Sequence, residues 1–222
     1  MSKIHAYAAK APKSPLQPFE FDPGELGPDQ VEIKVTHCGI CHSDLSMLDN
    51  EWGMSQFPLV PGHEAVGSVL ALGENAKGLR VGQRVGVGWS ASSCLSCREC
   101  LSGHHNLCAN SQGTIVGRHG GFADRLRAQW AWVRPIPDTL DLAKAGPLLC
   151  GGVTVFNPFL AYNISPTARW ASSASADWVT WHFNLPTNGV AKFMFSRPAT
   201  AKKRRHADSE PMWYTTPRVR AL

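Results

Sequence analysis

Four cysteines within fifteen residues, Cys94, Cys97, Cys100 and Cys108, constrain this chain more than any other feature of its sequence. Thiolates are soft, charged ligands, and four of them satisfy the tetrahedral preference of Zn2+ with no vertex left over. Two-residue spacers bring neighbouring sulfurs to one ion, and the stretch through Gly103 to Cys108 closes the loop. Free thiols or disulfides are the competing reading. Seven cysteines in 222 residues are an odd number, spaced unlike a small secreted disulfide framework, which favours metal in a reducing compartment. His104 and His105 fall inside this lobe, but four Cys already complete the shell, so both are expected at the surface.

The lobe interrupts a region of short strands. Val31–Val35 alternates apolar and polar residues, His63–Leu72 and Arg84–Trp89 are rich in Val and Gly, and Phe122–Ile136 holds two further candidates behind Gly120 and Gly121. Such closely spaced strands predict a mainly β domain with some α, a small and partly open barrel. After Pro137 acidic residues precede good helix formers, which predicts one short helix and then another over Leu148–Leu160.

Charge and hydropathy exclude several classes. Through Arg169 there are 14 basic and 14 acidic residues, so the net charge of +5 comes from residues 170–222, with 8 basic and 3 acidic. The body thus has no basic footprint for nucleic acid. No apolar run is long enough to cross a bilayer and the start lacks a secretory h-region, so the expected location is cytoplasmic, with no membrane partner.

A second metal site is written in three pieces. Gly39-Ile40-Cys41-His42-Ser43-Asp44 and Gly62-His63-Glu64 lie on either side of a loop, and Cys150 follows Pro147-Leu148-Leu149. Two Cys and one His leave a coordination position open, as catalytic zinc requires. Each piece alone is weak, because a lone Cys or His is more often a core or satisfied residue.

Taken in order with the lobe, these pieces resemble the zinc-dependent medium-chain alcohol dehydrogenase family, in its cinnamyl-alcohol-dehydrogenase-like branch, over residues 1–169. The resemblance implies a GroES-like β-barrel catalytic domain. It implies two zinc ions per chain: a catalytic one on Cys41, His63 and Cys150, and a structural one on Cys94, Cys97, Cys100 and Cys108. Glu64 becomes the carboxylate that can approach the metal, Asp44 the group that steadies the ligand His, and Cys38 packing. Zinc then acidifies an alcohol or polarises an aldehyde, and hydride passes between that carbon and NADP or NAD. Ser43 relays the substrate proton, or else is a simple helix cap. His42 is matched to a cofactor-phosphate contact and Thr154 to a position near the nicotinamide. Where many relatives end the relay on His, this chain has Ser46, so solvent or another group must serve.

From Trp170 onward the resemblance stops. No Gly occurs between Gly152 and Gly189, so the phosphate turn of a Rossmann domain cannot be built there. Re-read in a shifted frame, residues 170–181 yield an apolar strand followed by G-x-G-x-x-G, and Ala207–Trp213 re-reads similarly. The expectation is a frame-shifted or disordered tail in which Lys202–Arg205 is no nucleic-acid motif. The nucleotide-binding domain and most of the family's homo-oligomer surface are then missing, and an inactive, non-catalytic zinc-binding fragment stands beside the enzyme reading. A zinc-containing nucleic-acid binder is the distant third.

Overall fold

The computed structural model describes residues 3–165 and the backbone of two further strands, Thr180–Asn184 and Lys192–Ser196. Its centre is a five-stranded antiparallel sheet. The strands are β3 (Gln30–Cys38), β4 (Ala65–Leu72), β5 (Arg84–Val87), β8 (Arg125–Gln129) and β9 (Arg134–Pro135), in the order β8-β3-β4-β5-β9. Each predicted strand appears, with the one proposed from His63 beginning two residues later, at Ala65. His63 and Glu64 are thereby left in the loop before it.

Period-two alternation decides the buried face. Val31, Ile33, Val69, Val85, Val87, Leu126 and Ala128 point into one apolar cluster, each within 2 % of complete burial. Each large aliphatic side chain contributes about 1.5–3 kcal/mol when withdrawn from water. At Gly67 the strands β3 and β4 approach so closely that a Cβ would sit 1.9 Å from the carbonyl oxygen of Lys34, and only glycine fits.

Two pairs of strands flank the sheet. β1 (Ile4–Ala8) pairs with β2 (Gln17–Phe21), burying Ile4, Ala6 and Ala8 in alternation. It is tied to the domain by Tyr7 N–H donating to the Phe122 carbonyl and Ala9 N–H to that of Leu59, both at 2.9 Å. β6 (Ser90–Ser92) and β7 (Gln112–Gly113) pair at the neck of the cysteine lobe, which holds α2 (Arg98–Leu101) and a 3-10 turn, His105–Leu107.

Glu32 on β3 is 7 % exposed and accepts from Arg125 at 3.2 Å and Arg127 at 2.7 Å, both from β8. The rest of the Arg127 guanidinium donates to the carbonyls of Pro23, Gly24 and Glu25. One buried carboxylate thus pins a sheet edge and the loop that crosses it.

The remaining helices are α1 (His42–Leu48), α3 (Leu142–Ala145) and α4 (Gly151–Ala161). The helix expected over Leu148–Leu160 is in fact a 3-10 turn, Gly146–Leu149, then Cys150 with φ −124° and ψ −85°, then α4. Cys150 interrupts the helix rather than lying within it. A second compact unit begins at Thr154 and holds most of α4 and the antiparallel pair β10 (Thr180–Asn184) and β11 (Lys192–Ser196). The tail expected to be disordered or frame-shifted otherwise lies outside the described residues, as does Lys202–Arg205. No helix among the described residues is long and apolar enough to cross a membrane.

Candidate metal centre

α1 begins immediately after β3, and its N-cap is Cys41 rather than a Ser. Ser43 is therefore inside the first turn, and the simple-cap alternative does not hold. Asp44, at the third helical position, closes a capping box by accepting from the Cys41 N–H at 3.0 Å. The same carboxylate, 2 % exposed, takes the Gly62 N–H at 2.8 Å and the His63 ring Nδ1 at 2.9 Å through its other oxygen. Sequence reasoning gave Asp44 one partner. It has three, and it fastens the Cys41 and Gly62–His63 loops to each other.

With Nδ1 engaged by Asp44, the remaining nitrogen of His63 faces the sulfurs. His63 Nε2 lies 3.2 Å from Cys150 Sγ, and Cys41 Sγ lies 3.8 Å from Cys150 Sγ. Tetrahedral zinc with Zn–S bonds of about 2.3 Å sets its sulfurs roughly 3.8 Å apart. The donor atoms of Cys41, His63, Glu64 and Cys150 all fall within 4.8 Å of one another. Residues separated by as many as 109 positions are thus brought to one point.

Charge in this cluster is unbalanced. The hydrogen bond from Cys150 holds the Cys41 thiol well below its ordinary range, while the Cys150 thiol is pushed up by the same bond and by burial. Burial would lower His63, but Asp44 and Cys41 outweigh it and raise the imidazole to about 9. Burial lifts Glu64 to about 7, with the Cys41 and Asp44 charges adding to the rise. Glu64 Oε2 is buried with no hydrogen-bond partner, an expensive condition that a cation relieves. Soft donors, an orphaned oxygen and crowded anions all fit a divalent metal.

Two residues that sequence reasoning passed over shape the site. A Cβ on Gly39 would meet Glu64 Oε2 at 1.9 Å, so the carboxylate occupies space that only glycine leaves. Trp89 sets its ring edge-on to His63, centroids 5.1 Å apart, and Trp52 packs on Trp89 at 5.9 Å. Cys38 is buried against the core as expected. His42 is exposed on α1, and Thr154 lies on α4 in the second compact unit.

In the lobe, the sulfurs of Cys94, Cys97, Cys100 and Cys108 also lie within 4.8 Å of one another, with Cys94 3.5 Å from Cys108 and 3.9 Å from Cys100. Backbone N–H groups of Ser96 and Cys97 lower the Cys94 thiol to about 6, favouring the thiolate. Ser93 anchors the lobe by donating its N–H to Gln129 and accepting from the Trp132 indole. His104 is exposed, and His105 is half-buried edge-on to Trp132 rather than at the surface.

Residues 27–138 match the family model described as "Alcohol dehydrogenase GroES-like domain". The chain is 56% identical over 168 residues to aldehyde reductase AdhA of Synechocystis, covering 76% of this chain and 50% of that one. The structure of a CAD from Helicobacter pylori complexed with NADP(H) superposes with a TM-score of 0.70 at 27% identity, over 73% of this chain and 50% of that one. A thermostable alcohol dehydrogenase from Pyrobaculum aerophilum, with cobalt and zinc bound, gives 0.64 at 26%, over 74% and 49%. The chain spans about half the length of the relatives it matches.

Proposed function

This chain belongs to the zinc-dependent medium-chain alcohol dehydrogenase family, and from that premise we propose that residues 1–169 are the metal-bearing catalytic part of an alcohol dehydrogenase or aldehyde reductase. One observation carries the reading: Cys41, His63 and Cys150 converge beside a buried carboxylate oxygen that has no partner.

When bound at this point, zinc supplies a Lewis acid that acidifies an alcohol hydroxyl or polarises an aldehyde carbonyl. Cys41, His63 and Cys150 would hold it, and Asp44 fixes the imidazole so that Nε2 is presented. Glu64 brings a carboxylate within reach of the metal. Ser43, two residues after Cys41 in the first turn of α1, would take the substrate's hydroxyl proton. Cys94, Cys97, Cys100 and Cys108 would enclose a second zinc and leave no place for substrate. The substrate is a small primary alcohol or aldehyde with an apolar body. Hydride exchanges with NADP or NAD, with His42 toward the cofactor phosphate and Thr154 toward the nicotinamide.

The chain acts in the cytoplasm, without membrane or nucleic-acid partners. Residues 153–188 hold no Gly for a phosphate turn, which favours a second reading, a zinc-binding chain without turnover.

Metal analysis of the purified chain tests the site. Two zincs per chain are expected, with one lost in C150S and the other in C97S. A wild-type chain holding fewer than two, or a C150S variant holding both, refutes the assignment. Alcohol oxidation with NADP then separates the enzyme from the inert zinc protein.

A further inference from the structure

We infer that Gly88, held in place by Thr114, is a positioning residue for the metal centre: the space left by its missing side chain fixes where Cys150 stands. This rests on the metal site proposed above and names a residue, remote from the ligands in sequence, that builds it.

Cys150 is carried by no helix; it stands between the 3-10 turn and α4, so its place depends on what that turn rests against. Gly88 directly follows β5, and a Cβ on it would stand 2.4 Å from the carbonyl oxygen of Leu149, whereas real Cβ atoms essentially never come within 3.0 Å of such a neighbour. The Leu149 carbonyl shares one planar peptide unit with the nitrogen and Cα of Cys150, so the two move together. Clearing the clash takes a shift of roughly 0.6 Å or more, against a tolerance of about 0.2 Å in metal–ligand distances.

Thr114 makes this cradle firm. It is buried, donates its Oγ1 to the Gly88 carbonyl at 2.6 Å and its N–H to the Trp89 carbonyl at 2.7 Å. Trp89 in turn sets its ring edge-on to His63, so one short segment stands beside two of the three ligands. Gly86 offers an internal comparison. A Cβ there would also meet an atom at 2.4 Å, but that atom is Leu149 Cδ1, the far end of a side chain that can turn away, with Val66 Cγ1 next at 3.1 Å. If Gly88 served packing alone, both substitutions would loosen the fold and neither would change the number of sulfurs on the metal.

The full chain, its lobe already loaded with zinc, is titrated with Co2+, which binds more weakly than zinc and so leaves the lobe alone. Sulfur-to-cobalt absorption then reports how many thiolates the second centre supplies. G88A is expected to weaken cobalt binding about 10–100-fold and to lower the absorption per cobalt about twofold, while G86A keeps the affinity within about threefold and the absorption unchanged. T114V leaves the Gly88 carbonyl without its hydroxyl donor and should weaken binding as well; T114S keeps the hydroxyl and should restore it. G88A indistinguishable from G86A overturns the inference. Should G88A fail to fold, T114V binding cobalt as tightly as T114S overturns it. A wild-type chain that shows no sulfur-to-cobalt absorption beyond its filled lobe removes the metal site itself, and the inference with it.

Discussion

Asp44 offers the most informative single perturbation. Its carboxylate accepts from the Cys41 N–H, the Gly62 N–H and the His63 ring, all within 3.0 Å. D44A removes all three acceptor contacts at a position that is 2 % exposed, where water is poorly placed to replace them. Each buried donor left unsatisfied costs about 1–3 kcal/mol, so three cost about 3–9 kcal/mol. That is a large part of the ~5–15 kcal/mol that stabilises a typical domain. D44N is milder, because its one acceptor oxygen can serve Gly62 and His63 while its NH2 group faces the Cys41 N–H. One donor is then lost, for about 1–3 kcal/mol, and zinc affinity at this site should fall by roughly 10–100-fold because a neutral amide oxygen supports the imidazole less than a carboxylate does. Urea unfolding of the metal-free variants by tryptophan fluorescence, and zinc competition against a chromophoric chelator, measure the two effects. If D44A costs no more than D44N, or if D44N binds zinc as the wild type does, Asp44 is not the fastening point and the reasoning fails.

Two further outcomes follow from the same structure. Breaking the buried Glu32 clamp with E32A leaves Arg125 and Arg127 facing each other. It should cost about 3–5 kcal/mol in chemical denaturation and speed amide exchange around Pro23–Glu25; an unchanged midpoint counts against it. At pH 7 the metal-free catalytic cluster holds a proton on His63, raised to about 9, and on Cys150, raised from its ordinary range, while Cys41 is already thiolate. Because those protons are bound only in the empty site, low pH opposes zinc, and affinity should rise toward pH 9. Calorimetry in buffers of different ionisation heat, on a chain whose lobe is already loaded, should count about two protons released at pH 7; a count near zero argues against this protonation scheme.

The two side-chain clusters were legible because coordination chemistry leaves a pattern that survives in one dimension. The lobe's sulfurs are close in sequence, and the catalytic trio sits in short strings rich in Gly and polar residues. Strands β3, β4 and β5 were legible from their Val-rich alternation. β1 carried the same signal in Ile4-His5-Ala6-Tyr7-Ala8, though nothing nearby marked it as paired, and β2 contains Pro18, a residue that argues against a central strand. The break at Cys150 was hidden because Leu148–Leu160 has the composition of one helix. At Cys150 the backbone torsions leave the helical region and override that local propensity. The triple role of Asp44, the pairing of Glu32 with arginines more than ninety residues away and the Gly39–Glu64 contact depend on tertiary approach, which no local pattern encodes.

The spread of the ligands along the chain has a consequence for how the protein is made. In the lobe, the outermost cysteines are 14 residues apart, so a nascent polypeptide can capture its first ion soon after that stretch leaves the ribosome. The other centre waits for Cys150, 109 positions after Cys41, by which time every strand of the main sheet has been synthesised. Since translation delivers the N-terminal portion first, the lobe is complete and able to take its ion before the second cluster exists. A cell short of zinc midway through synthesis would therefore accumulate chains with a filled lobe and an empty reactive pocket.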